Sequence, residues 1–316
     1  MARVTVVVAT ANARDALLAT LDSILRQDFK DFELFIADDG SSDGTGTSVL
    51  TRFGPDPARV ERVWWDSLRE DAGTRSIRMI RDGLLVHYLH QVTARGAGAA
   101  RNRALALASG ELLAFAEPGD IWQPDKLGEQ VRLLTEDPSL GAVLVLHDGR
   151  KRRCPSRKPA KLSPVTLESI LECAEETLSG SVVRRACLGP ESPFDENLPV
   201  CEEFDFFLRL TSRARIVRID TSRQVDGPGN RSTEWGLERF RVYALEKAYQ
   251  SGQLTPPLRH RVAEELVHQC DLLVDGYRRR ENHERANFYD RKKKRFAQEV
   301  AKLDLSDPVF SRSLAG

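Results

Sequence analysis

The sequence predicts an α/β fold: a mostly parallel sheet flanked by helices, followed by a helical C-terminal appendage. Three observations carry this. Short β-branched apolar runs alternate with segments of helical spacing through the first half of the chain. The first of these runs is apolar throughout, as in a strand buried on both faces. After residue 230 the pattern changes to helix upon helix.

Taken in order, "RVTVVVA" (3–9) is the first strand, and "DALLATLDSILRQ" (15–27) follows with apolar residues at 17, 18, 21, 24 and 25. "FELFIAD" (32–38) is the second strand, ending in the turn cluster "DDGSSDGT". Further strands are expected at "LLVHYLH" (84–90), "ELLAFA" (111–116) and "GAVLVLH" (141–147), with a helix at "AGAARNRALALA" (97–108). Residues 52–83 are polar and without a sustained period, and are read as an insertion. Residues 150–161, "RKRRCPSRKPAK", hold seven basic residues, no acid and two prolines, the composition of an exposed loop. The expected division is a domain over 1–225 that holds the sheet and a helical appendage over 226–316.

Composition excludes several classes. The 47 Lys+Arg balance 47 Asp+Glu, so no net charge draws the 316-residue chain to nucleic acid. Five scattered cysteines without a C-x-x-C pair speak against a disulfide framework or a zinc knuckle, and fit a reducing cytoplasm. No secretion signal or membrane span is read at the N-terminus. The basic stretches "YRRR" and "RKKKRF" are ordinarily solvated helix faces, and they also suit peripheral contact with an anionic membrane.

In an open parallel sheet, ligands bind beyond the carboxyl ends of the strands, near the switch in strand order. That rule selects Thr10 and Asn12 after the first strand, Asp38, Asp39 and Ser41 after the second, Arg101 and Asn102 on the following helix, and Glu117 and Asp120 in "AEPGDIW". Pro118 and Gly119 are the signature of a type II turn, which brings the first and fourth residues together, so the two acids can share one ion.

These segments resemble family 2 glycosyltransferases, which have the GT-A fold, a Rossmann-like domain. The resemblance is carried by "VTVVVATANARDALLATLDSILRQDFKDFELFIADDGSSDGT", "ARGAGAARNRALALASGELLAFAEPGDIWQPDKL" and "SGSVVRRACLGPESPFDENLPVCEEFDFFLRL", and covers about residues 3–220. It implies an inverting, non-processive transfer from a nucleotide-diphosphate sugar, UDP-linked, to an acceptor hydroxyl on a glycan, a lipid-linked sugar or a protein. Thr10, Asn12, Asp38, Asp39, Arg101 and Asn102 would surround the donor nucleotide. Glu117 and Asp120 match the outer acids of the family's Asp-x-Asp-Asp stretch and would hold Mn or Mg, although Glu stands for the first Asp and Gly119 for the third residue. Without a metal, Arg101 or Arg231 would take over the diphosphate. Glu203, where Asp is usual, would be the general base. Trp122, Glu202, Asp205, Asn230, Arg231 and Trp235 are implied candidates for the acceptor or diphosphate loop.

On residues alone, "CEEFDFFLRL" is also an amphipathic helix with Phe204, Phe207, Leu208 and Leu210 packed and Glu202, Glu203 and Asp205 in water. The departures at Gly119 and Glu203 keep open a catalytically impaired GT-A-like binding or scaffold protein. A nucleotidyltransferase is disfavoured, because "ATANARDA" lacks a Gly-rich phosphate loop.

Overall fold

The computed structural model describes residues 2–54, 60–64, 74–148, 161–172, 178–225 and 236–306. The chain forms two compact units, one of Met1–Val165, Glu175–Pro199 and Arg213–Arg231, the other of Thr166–Ala174, Val200–Ser212 and Ser232–Gly316. They interleave along the chain instead of meeting near residue 225.

In the first unit, β1 (Val4–Thr10), α1 (Arg14–Leu25), β2 (Phe32–Asp38), α2 (Thr45–Phe53), β3 (Val60–Trp64), β4 (Thr74–Arg81), β5 (Leu84–Gln91), α3 (Ala97–Leu107) and β6 (Leu112–Ala116) follow one another. Then come β7 (Ile121–Trp122), α4 (Lys126–Glu136), β8 (Leu140–Asp148) and β9 (Leu162–Val165). After α5 (Leu167–Glu172), which belongs to the second unit, the first unit is completed by β10 (Ser181–Arg184) and, beyond α6 (Glu202–Thr211) of the second unit, β11 (Arg215–Val225).

These strands form one mixed sheet in the order β3-β4-β5-β2-β1-β6-β10-β8-β11-β7, with β9 on β11. Around the centre β5, β2, β1 and β6 run parallel, and β8 and β11 are parallel to each other. Every residue of β1 and β2 is buried, because helices cover both faces of the sheet. The core is the Val, Leu, Ile and Phe set of β1, β2, β6 and β8 with Leu17, Leu21 and Ile24 of α1.

The sheet contains a departure from the expected insertion at 52–83. β3 and β4 lie inside that stretch and extend the sheet, and an Asp82-Gly83 turn with φ of 50° and 77° joins β4 to β5. Asp-Gly with two positive φ angles is the pattern of a tight hairpin turn, and it was the local signal in "IRDGLL". Alternation along β4 buries Ile77 and Met79, and the interleaved arginines mask the period.

The second unit holds α5, α6, α7 (Glu238–Gln250), α8 (Pro256–Arg278) and α9 (His283–Ser306). The apolar stripes of α8 and α9 pack together, with Tyr277 stacked on Tyr289 at 5.7 Å. α6 packs against α5 and α7, and this assigns residues 200–212 to the helical unit.

The faces of α6 differ from expectation. Phe206, Phe207, Leu208 and Leu210 are buried, but so are Glu202 and Asp205, while Phe204 is half-buried. Asp205 is tolerated inside because Arg209 one turn on (2.8 Å) and Lys247 of α7 (2.8 Å) pair with it.

Candidate functional site

The strand order reverses at β1, with β2 on one side and β6 on the other. Register then sets which carboxyl ends meet. Thr10 lies beside Asp38, and Val8 lies beside Ala116, the residue before Glu117. The acids expected to be functional therefore surround the sheet's switch point.

Asp38 is fully buried. Its Oδ2 accepts the Tyr88 hydroxyl at 2.5 Å and faces His90 Nδ1 at 3.3 Å, and its Oδ1 accepts the Ser41 amide at 2.9 Å. Burial, reinforced by this bond to Asp38, raises the Tyr88 pKa, so the phenol keeps its proton and donates. Asp39 is 7% exposed and ties three groups together: Oδ1 accepts Gln91 Nε2 and the Arg95 amide, both at 2.7 Å, and Oδ2 accepts the Gly96 amide at 2.8 Å. It thereby fixes the entry to α3.

Asn12, with φ of 49°, cross-links the loops after β1 and β2: its amide donates to Ser41 Oγ and its Oδ1 accepts the Ser42 amide, each at 2.8 Å. Thr10 Oγ1 is buried at the same edge and has no hydrogen-bond partner. A buried hydroxyl without a partner is costly in a finished core and suits a site that a ligand completes.

On α3, Arg101 is buried, its Nη2 donates to Glu117 Oε1 at 2.8 Å, and its guanidinium sits over the Phe194 ring at 5.4 Å. Asn102 has a framework role. Its Oδ1 accepts the Phe194 amide at 3.0 Å, and its Nδ2 donates to the Phe194 carbonyl at 2.8 Å and to Glu196 at 3.1 Å. Its side-chain amide is committed to the ring beneath Arg101.

The Glu117–Asp120 stretch is a turn closed by the Asp120 amide on the Glu117 carbonyl at 3.0 Å, with Gly119 at φ of 103°. α1 holds it in place. The Gly119 amide donates to Thr20 Oγ1 at 2.8 Å, and the Trp122 amide to Ser23 Oγ at 3.1 Å. Asp120 is 6% exposed, and its Oδ2 accepts the Glu117 amide at 2.8 Å. Below it lies Lys126, fully buried, over the Trp122 ring at 3.8 Å and donating to Gln130 at 3.0 Å. Burial lowers the Lys126 pKa to about 7, against the opposing pull of the Asp120 charge.

Trp122 is thus a core residue, 3% exposed. Its aromatic face supports the buried ammonium, a stabilising arrangement. Nor does the turn, as it stands, fit the expected Mn or Mg. Both carboxylates are engaged, Glu117 by Arg101 and Asp120 by the turn's own N–H. Among the described residues no group of three or more His, Cys, Asp or Glu side chains comes together to hold a metal.

Glu203 stands in the first turn of α6 within the second unit, half-buried, on a helix pinned by the Asp205, Arg209 and Lys247 ion pairs. Asp205 is a clamp of that helix, and Glu202 is buried at its start. Asn230, Arg231, Trp235 and most of the basic 150–161 stretch lie outside the described residues. Tyr88, His90, Gln91, Lys126 and Phe194 were not singled out in the sequence. Each serves the site by supporting a group brought to it by long-range pairing.

With this geometry in place, the comparisons with known proteins are specific. The model of Glycosyl transferase family 2 matches residues 5–62 and 70–177, more than half of the chain. The UDP-Glc:alpha-D-GlcNAc-diphosphoundecaprenol beta-1,3-glucosyltransferase WfaP of Escherichia coli is 28% identical over 134 residues, 42% of this chain and 42% of that protein. The chain therefore matches less than half the length of this relative. The crystal structure of S. aureus TarS 1-349 in complex with UDP-GlcNAc superposes with a TM-score of 0.58 at 17% identity, covering 94% of this chain and 92% of that one. The mannosyltransferase PcManGT from Pyrobaculum calidifontis, in complex with GDP-Man and Mn2+, does so with a TM-score of 0.50 at 16% identity, covering 98% and 88%. Among the described residues no helix is long and apolar enough to cross a membrane. A central sheet whose acids gather at its switch point, the matched family model and these superpositions agree, and the chain belongs to glycosyl transferase family 2, with the GT-A fold.

Proposed function

We propose that this glycosyltransferase moves a sugar from a UDP-linked donor to an acceptor hydroxyl with inversion at the anomeric carbon. The observation that carries the reading is the convergence of Thr10, Asp38, Asp39 and Arg101 at the carboxyl ends of β1 and β2 and on α3, with an unpartnered buried hydroxyl among them. Asp38 and Asp39 shape the nucleoside side, partly by holding the loops that line it. Arg101 faces the diphosphate.

In the proposed step the acceptor oxygen attacks the anomeric carbon opposite the leaving group. The bond between that carbon and the phosphate oxygen breaks, the nucleoside diphosphate leaves with the electron pair, and the Glu203 carboxylate takes the acceptor proton. The acceptor class we favour is a lipid-linked sugar, because a relative's name specifies one. It implies work in the cytoplasm, with peripheral contact at the membrane.

The test is release of nucleoside diphosphate from UDP-glucose, UDP-GlcNAc and GDP-mannose in the presence of lipid-linked and soluble acceptors. Glu203→Gln is expected to lower kcat by roughly 100- to 10,000-fold with donor affinity retained. A variant as active as the parent would remove Glu203 from the mechanism. Nucleotide affinity without turnover on any acceptor would favour the impaired binding module instead, a reading supported by Gly119 and by the longer Glu203.

A further inference from the structure

We propose that the donor diphosphate is neutralised by Arg101, which exchanges its bond to Glu117 for a phosphate oxygen, without a divalent ion. The inference rests on the nucleotide-sugar reading and goes further, since it assigns Glu117 the part of a displaceable internal anion instead of a metal ligand.

Three observations carry it. First, the turn's negative charge is already engaged. Arg101 pairs with Glu117 at 2.8 Å, and Asp120 Oδ2 accepts the Glu117 amide at 2.8 Å. At a diphosphate a Mg or Mn ion is held by one or two carboxylates together with phosphate oxygens and water, so a carboxylate already matched by a protein cation has less charge to offer it. Second, no third donor is available in the turn. Gly119 has no side chain, and Asp120 is folded onto the Glu117 amide with 6% of its surface exposed. Third, the Arg101–Glu117 pair is asymmetric. The Arg101 side chain is 3% exposed, while Glu117 is 45% exposed and can leave for water at little cost.

The guanidinium is preorganised for the exchange. The Phe194 ring supports one face at 5.4 Å, and Asn102 holds the Phe194 backbone at both its amide and its carbonyl. A planar guanidinium fixed in this way matches a phosphate better than a single carboxylate oxygen, because it can bond two phosphate oxygens side by side. Glu117 then plays two parts. It keeps the buried cation paired while the site is empty, and it competes with the donor.

Calorimetric titration of the full chain with uridine, UDP and UDP-glucose, in EDTA and again with Mn, decides the matter. The expected result is UDP affinity equal within about threefold in the two conditions, since no hydrogen-bond partner of the diphosphate changes. Glu117→Gln should tighten UDP in EDTA by about three- to tenfold, a fraction of one charge-assisted hydrogen bond. Arg101→Met should weaken UDP by roughly 10- to 100-fold while leaving uridine unchanged, and the uridine arm shows that the nucleoside pocket persists. UDP affinity that vanishes in EDTA and returns with Mn, or a Glu117→Gln that weakens UDP, would overturn the inference and leave the nucleotide-sugar reading standing. Absence of binding by all three compounds in both conditions would remove the nucleotide-sugar reading, and the inference with it.

Discussion

Two pairs of acids stand at the ends of the parallel strands that flank β1, and they are built differently. Asp38 and Asp39 at the end of β2 meet a hydroxyl, a side-chain amide, backbone amides and one imidazole, and none of these contacts is a Lys or Arg side chain. After β6, Glu117 is paired with Arg101 at 2.8 Å, and Asp120 lies within electrostatic reach of the buried Lys126. Neutral donors hold the first pair as a rigid framework whose negative charge stays in place. Cations balance the second pair, so its more exposed member is exchangeable. The same residue type at equivalent places in a sheet is thus scaffold in one case and a switchable contact in the other.

The largest expected effect breaks the first half of this comparison. Asp39→Ala leaves Gln91 and the Arg95 and Gly96 amides without their acceptor and should cost about 3–5 kcal/mol in urea unfolding, at unchanged m-value. A loss below about 1 kcal/mol would mean that Asp39 is no framework.

A middle-sized effect tests the buried cation of the second pair. The folded-state pKa of Lys126, about 7, lies below its ordinary 10.5, so between those values the unfolded chain binds more protons. Stability from this group therefore rises as pH increases from about 7 towards 10.5, by roughly 2 kcal/mol between pH 7 and 9. Lys126→Met should flatten that rise, whereas Asp120→Asn should move it to lower pH, because the carboxylate no longer holds the proton on the amine. Denaturation curves at three pH values read both.

The smallest effect sharpens the contrast. Glu117→Gln removes the charge of the exposed partner but leaves a side-chain oxygen to accept from the buried Arg101, and should change stability by about 1 kcal/mol, several-fold below Asp39→Ala. A cost near that of Asp39→Ala would make Glu117 structural and close the route by which it exchanges with phosphate.

Much of the fold was legible in the sequence because its signals are local. The strand at 32–38 is found where its pattern places it, and the neighbouring helix of 97–107 within one residue. The long C-terminal helices likewise show their apolar spacing. What escaped were β4, with arginines between its buried residues, and the inner face of α6, where the buried Asp205 resembles a solvated acid until Lys247 and Arg209 are seen beside it. The burial of Trp122 was not legible either, since it depends on α4 and the side chain of Lys126.

The sequence by itself determined the alternation of strand and helix, the acids at strand ends and the Pro118-Gly119 turn. All three follow from backbone preference and from which face is buried, over a few residues. Only the tertiary structure decided what those acids do. Tyr88 and His90 reach Asp38 from 50 and 52 residues away, and Arg101 reaches Glu117 from another element. Charge compensation is set by register and by which helix covers which strand end. A carboxylate's partner, and hence its role, is a property of the folded chain and not of its neighbours in sequence.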